Sequence, residues 1–214
     1  MPIRAVIFDL WETLIDWDPD ANARMQTRVR ERVGFDFHER WSRASERYTA
    51  PVRTVLAGVG VPAEAMDDVL EYRADFVRHC LVPRQGAVNT LQRLRASDIK
   101  VGLITVCTED VELLWPESAF AGLFDAEIFS NAVGLTKPDP RIYLACCDEL
   151  DVAPHEAVFV GDGANDELDG ARRVGLHPIL IHKAGEDPMW PEVRTWEGLR
   201  VTSIPEVLEV LERC

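Results

Sequence analysis

The sequence predicts an α/β fold: a parallel sheet layered between helices and interrupted early by an all-helical stretch. Three observations predict it. Short branched apolar runs recur along the chain, helical periodicity alternates with them, and between Asp16 and Pro83 the strand-like runs disappear. Apolar runs too short for a helix, closed by polar or Gly/Pro residues, are typical of strands buried on both faces.

The runs are Ala5-Val6-Ile7-Phe8, Val101-Gly102-Leu103-Ile104, Ala157-Val158-Phe159-Val160 and Pro178-Ile179-Leu180-Ile181, with a weaker one at Ala126-Glu127-Ile128-Phe129. Helical segments are expected between them. Val88, Leu91 and Leu94 share a face, Asp139 to Leu150 follows a proline start, Glu167 to Val174 stops at Gly175, and Pro205 to Leu211 closes the chain. Such alternation implies a parallel sheet with helices on both faces.

The interruption has helical periodicity of its own. Met25, Val29 and Val33 lie four apart, and Trp41, Ala44 and Tyr48 share a face. Met66, Val69, Leu70, Phe76, Val77 and Cys80 form a longer stripe. Gly34, Pro51, Gly58-Val59-Gly60 and Pro62 punctuate the segment. The expected organisation is a core from residues 1–16 and 84–214, with a helical insert over 17–83.

Composition narrows the function. A chain of 214 residues builds one substantial core with room for one smaller module. Hydrophobic residues at 47% and charged residues at 28% are ordinary for a globular protein. No apolar run approaches the roughly 20 residues of a membrane helix, and the amino terminus lacks the features of a secretory signal. A cytoplasmic protein, monomer or homodimer, is expected. Cys80, Cys107, Cys146, Cys147 and Cys214 are odd in number and have no metal-site spacing, which predicts reduced, buried thiols.

A net charge of −14 argues against a nucleic-acid binder. It does not exclude an anionic substrate, because one cation and a metal can invert the field inside a pocket. Lysine is scarce: Lys100, Lys137 and Lys183 are the only ones. In open α/β sheets the chemistry gathers at the carboxyl ends of the strands. Asp9, Thr105 and Asp162 directly follow strand-like runs, and Lys137 stands in a loop before a helix.

Those residues carry a resemblance. Val6-Ile7-Phe8-Asp9-Leu10-Trp11-Glu12-Thr13-Leu14 resembles the first motif of the haloacid dehalogenase-like superfamily, which in its phosphatases reads Asp-x-Asp-Gly-Thr-Leu. Leu103-Ile104-Thr105 resembles the second motif and Gly134-Leu135-Thr136-Lys137-Pro138-Asp139-Pro140 the third. Val160-Gly161-Asp162-Gly163-Ala164-Asn165-Asp166, followed by Gly170-Ala171-Arg172, resembles the fourth. The order is the family's, and the helical insert sits where one large branch carries its cap.

The resemblance implies a Rossmann-like core and a Mg²⁺-dependent hydrolase acting on a small phosphorylated substrate. It assigns Asp9 as covalent nucleophile and metal ligand, the backbone carbonyl of Trp11 and the carboxylate of Asp162 as ligands, and Asp166 as a ligand through water or a supporting partner. Thr105 and Lys137 would hold the transferred phosphoryl group, with Val106 also on the substrate. The physical case runs in parallel. Attack by a carboxylate on a phosphate ester must overcome like-charge repulsion, so neutralisation and positioning carry the catalysis. Asp9, Asp162 and Asp166 against Lys137 leave two uncompensated negative charges, which one Mg²⁺ would balance. Each residue also has a plain alternative: a turn or helix cap for the aspartates, a strand end for Thr105, a solvated lysine for Lys137.

The pattern breaks at Trp11, where the phosphatases carry a second Asp that moves the leaving-group proton. Indole cannot take that role. Glu12 is the nearest replacement carboxylate. The same gap keeps two rivals open: the 2-haloacid dehalogenases, which have an aromatic residue there and work without metal, and a phosphate-binding protein without turnover. The acidic fourth motif favours the metal site, since an uncompensated Asp162 would raise the pKa of Asp9. In the insert, Arg24, Arg28 and Arg32 and the row Arg40, Arg43 and Arg47 are more readily paired with acidic neighbours than with substrate. His38 and His79 are candidate acid–base groups.

Overall fold

The strands expected from the sequence assemble into one parallel sheet. In the computed structural model, which describes residues 2–183, 185 and 190–212, β1 (Ala5–Phe8), β2 (Lys100–Thr105), β3 (Ala126–Phe129), β4 (Ala157–Gly161), β5 (His177–Ile181) and β6 (Leu199–Val201) lie in the order β3-β2-β1-β4-β5-β6. Every pairing is parallel. The β6 strand was not foreseen. It has three residues, a central arginine and only Val201 buried, so no apolar run announces it.

Alternation along β1 sets the two faces of the core. Val6 and Phe8 join one apolar cluster, while Ala5 and Ile7 join the other with Ile104, Ile142, Tyr143 and Phe159. Numbering the α-helices in chain order, α5 (Ala87–Ala96) lies against β2; α8 (Pro140–Glu149) and α9 (Glu167–Arg173) cover the face with Ile7. The cysteines behave as core filler. Cys80, Cys107, Cys146 and Cys147 are free and buried, and burial pushes the Cys80 and Cys147 thiols up to about 11. Cys214 lies outside the described residues.

Between β1 and α5 the insert carries four α-helices: α1 (Pro19–Val33), α2 (Phe37–Arg43), α3 (Val52–Gly58) and α4 (Met66–Cys80). Local chemistry sets their ends. Asp18 caps α1 by accepting the Ala21 N–H at 2.8 Å, with Pro19 in the first turn, and Gly34 ends it at φ 75°. The shared face expected across Trp41, Ala44 and Tyr48 is broken. Ala44 leaves the helix at ψ 89°, and a 3₁₀ turn takes over at Ser45–Tyr48. The Arg47 guanidinium stabilises the break by donating to the Ala44 and Ser42 carbonyls, at 2.7 and 3.0 Å.

The insert shares a core with the sheet. Met25, Val29, Phe37, Leu56, Val69 and Phe76 belong to the same apolar cluster as Val6, Phe8 and Leu91. Its two ends are tied together where they meet the sheet. Ile15 bridges Pro83, the Arg84 N–H donates to the Leu14 carbonyl at 2.8 Å, and the Arg84 guanidinium reaches the backbone carbonyls of Glu12 and Thr13. The same guanidinium pairs with the carboxylates of Glu12 at 2.9 Å and Asp16 at 2.6 Å.

A second tie is buried. Arg73 of α4 places Nη2 2.7 Å from Oδ2 of Asp110, in α6 (Glu109–Leu114), and stacks on the Trp41 ring at 4.0 Å. A buried pair costs more to break on one side than to replace as a whole. Asp110→Ala should therefore lower stability by about 3–5 kcal/mol, while Arg73→Met with Asp110→Leu recovers most of it. Denaturant unfolding of the three proteins measures this, and an unchanged midpoint in Asp110→Ala contradicts it.

Candidate active site

The carboxyl ends of β1, β2 and β4 bring the chemistry together. Asp9 directly follows β1, and its backbone N–H continues the pairing to the Val160 carbonyl at 2.9 Å. Its backbone is therefore held at the carboxyl end of the sheet, and the residue is only 4% exposed. Asp162 follows β4. Its Oδ1 accepts the Ala164 N–H at 3.1 Å and its Oδ2 accepts the Trp190 indole N–H at 2.8 Å.

Lys137 is no solvated loop lysine. It is 8% exposed, and its Nζ donates to Asp9 Oδ1 and to Glu167 Oε2, both at 2.5 Å. Burial disfavours its charge, but the carboxylates of Asp9 and Glu167 outweigh that, and the ammonium is held firmly protonated. Glu167 is fully buried. Burial drives its pKa well up, against the pull of Lys137, and its Oε1 accepts the Gly163 N–H at 3.0 Å. Burial and then the neighbouring Asp9 raise the pKa of Asp162.

Ligand oxygens of Asp9, Asp162 and Glu167 all lie within 4.8 Å of one another. Asp166, expected in this group, is exposed and lines a separate cavity with Gly163, Asp169 and Arg172. The turn decides which acid enters. Asn165 and Asp166 both take left-handed backbone, at φ 51° and 56°, and this rotation turns the next side chain, Glu167, inward. A glycine makes room for it: a Cβ on Gly161 would stand 2.1 Å from Glu167 Oε1. Sequence reasoning missed Glu167, reading it only as the start of a helix. The acidic doublet Asp166-Glu167 was the one available signal.

Thr105 ends β2 fully buried, and its hydroxyl has no hydrogen-bond partner among the described residues; the same holds for Thr13. A buried hydroxyl without a partner is costly unless a ligand supplies one. Val106 follows, half-buried in the loop beyond β2. The Trp11 ring stacks on Phe76 of α4 at 6.5 Å, and Trp17, 40% exposed, meets both edge-on at 5.5 and 5.1 Å. Glu12 does not replace the missing acid. At φ 57° its carboxylate folds back to accept the Trp17 N–H at 2.5 Å and to pair with Arg84.

Other candidates sit in ordinary pairings. Arg28 and Arg32 pair with Asp75 and Asp68, Arg43 with Glu39, and Arg40 donates to the Val59 carbonyl. His38 hydrogen-bonds Gln26, and His79 hydrogen-bonds Asp18. Among the described residues no helix is long and apolar enough to cross a membrane.

The model of the haloacid dehalogenase-like hydrolases matches residues 3–175. The chain belongs to that family. Within it, a glyceraldehyde 3-phosphate phosphatase of Pyrococcus furiosus is 24% identical, with 99% of this chain and 94% of the relative covered. A (S)-2-haloacid dehalogenase of a Pseudomonas species is 28% identical, covering 85% of this chain and 86% of that one. The chain spans about half the length of several other curated relatives it matches. A phosphatase structure from Thermococcus onnurineus superposes with a TM-score of 0.74 over 98% of both chains at 20% identity, which shows the shared fold.

The donor set of this hydrolase suits a hard divalent cation. Three carboxylates crowd together and one ammonium pairs with two of them, leaving two negative charges if all are ionised, and every ligand atom is oxygen. Lys137→Met would bury those three carboxylates without a cation. It should destabilise the metal-free protein by about 3–5 kcal/mol, measured by denaturant unfolding. An unchanged midpoint would show that Lys137 does not balance them.

Proposed function

We propose that this hydrolase is a Mg²⁺-dependent phosphatase of a small phosphorylated metabolite, working through an aspartyl-phosphate on Asp9. One observation carries the reading. The single positive charge of buried Lys137 is already outweighed by the Asp9 and Glu167 carboxylates it pairs with, and Asp162 adds a third, a surplus that a divalent cation would neutralise. A metal-free dehalogenase gains nothing from that surplus charge, which would hold the Asp9 carboxylate in a repulsive field. The phosphatase relatives point the same way.

In this reading Asp9, Asp162 and Glu167, with the Trp11 carbonyl, would hold Mg²⁺, which when bound supplies charge neutralisation for an anionic ester. Asp166, exposed and outside this group, would act at most through water or as a supporting partner. An Asp9 oxygen attacks phosphorus in line as the ester P–O bond breaks, and the electron pair leaves with the ester oxygen. Water then cleaves the Asp9–phosphorus bond, freeing phosphate and restoring the carboxylate. Lys137 steadies Asp9 and meets the phosphoryl oxygens, and the unpartnered Thr105 hydroxyl donates to them alongside the Val106 segment. The helices of residues 17–83 act as a cap that excludes water and selects the leaving group, with Trp11, Trp17 and Phe76 as its apolar wall.

With Trp11 in place of a titrating group and Glu12 occupied by Arg84, the leaving group departs without a protein proton donor at that position. Hydrolysis of an activated aryl phosphate, run with Mg²⁺ and with excess chelator beside a 2-haloacid halide-release assay, tests the reading. Metal-dependent phosphate release is expected; halide release indifferent to chelator would replace it with dehalogenation. Asp9→Asn should abolish turnover with the fold intact, and retained activity would reject the covalent mechanism. Trp11→Asp should raise turnover of unactivated esters by about 10²-fold, and no gain in a folded variant would place proton transfer elsewhere.

A further inference from the structure

We infer that Trp190 is a positioning residue that locks the carboxylate of Asp162 in the orientation a divalent cation needs. The inference rests on the reading of Asp9, Asp162 and Glu167 as cation ligands. Its own basis is separate: the segment from Trp190 to Trp196 clamps the loop that follows β4.

Three contacts make the clamp. The Trp190 indole N–H donates to Asp162 Oδ2 at 2.8 Å. Val193 lies so close to the next residue that a Cβ on Gly163 would stand 2.9 Å from Val193 Cγ2. The Arg172 guanidinium, beyond the loop, stacks on the Trp196 ring at 4.3 Å. Trp190 starts the short helix α10 (Pro191–Thr195) and is half-buried against the apolar cluster that holds Phe159 and Leu168. Its ring is thus fixed by packing, and its one donor points at a carboxylate.

The physical effect follows from the donor count. The Ala164 N–H holds Oδ1 and the indole holds Oδ2, so both oxygens of Asp162 are pinned and the plane of the carboxylate cannot turn. Each oxygen keeps a second lone pair for a cation. Partners of this kind around a metal ligand typically change affinity by about 10–100-fold without touching the ion. Nothing in the sequence near Trp190 marks it, because the contact spans 28 residues.

The test measures Mg²⁺ binding by isothermal titration in the intact protein, with Trp190→Phe and Trp190→His beside the wild type. Phenylalanine keeps an aromatic ring and loses the donor. Histidine keeps an N–H the same number of bonds from Cγ. Trp190→Phe should weaken Mg²⁺ binding about tenfold or more, with Trp190→His recovering much of it and the metal-free unfolding midpoints staying close together. In the ¹⁵N-labelled wild type, which needs no variant, the Trp190 indole N–H resonance should shift as Mg²⁺ is added. Equal affinity in wild type and Trp190→Phe, or an indole resonance that ignores Mg²⁺, overturns the role of Trp190 and leaves the metal site standing. No Mg²⁺ binding in the wild type overturns both.

Discussion

The ammonium of Lys137, buried between two carboxylates, is the constraint around which the rest of this molecule is arranged. A charge taken out of water needs partners with near-ideal geometry, and the fold supplies two, Asp9 at the end of a central strand and Glu167 at the start of a helix, to a lysine carried by a loop. Holding these parts to hydrogen-bond precision requires close packing beneath them. Gly170 allows Tyr143 and Pro138 to approach where a Cβ would stand 2.6 and 2.9 Å from them, and the Tyr143 hydroxyl then fixes the Glu167 backbone carbonyl at 2.9 Å. Buried side chains, rather than solvent-exposed ones, support Asp9, Lys137 and Glu167.

The same cluster explains why the chain carries an electrostatic imbalance at its centre. Burial raises the pKa of both Asp162 and Glu167, so their ionised forms are costly until another cation arrives. A protein selected for stability alone would replace such groups with apolar ones. Retaining them is a property of sites that bind and neutralise charge, and it ties the hydrolase reading to energetics rather than to motif similarity.

The helical insert is joined to the sheet by a shared apolar cluster and by two sets of charged ties. Arg84 closes the base of the insert beside the Asp9 loop, and Arg73 reaches from α4 to the helix that follows Thr105. Trp11 belongs to this junction as much as to the active site, since its ring lies against Phe76 of the insert. Replacing a small acidic group by indole therefore trades a proton donor for a contact between insert and core.

The sequence by itself determined the α/β class, five of the six strands among the described residues, the early helical stretch, and the position of Asp9, Thr105 and Asp162 just at or after strand ends with Lys137 in a loop. These are legible because burial imposes local patterns: apolar runs for buried strands, one apolar face for each insert helix, and chemistry at the residue where a strand ends. The tertiary structure alone decided between Asp166 and Glu167, because two left-handed residues choose which neighbour faces inward. It alone occupied Glu12 with Arg84, broke the insert helix at Ala44, and brought Trp190 to Asp162. Each of these depends on backbone rotation or on contacts between residues far apart in the chain, and such contacts leave no periodic trace in the residues that make them.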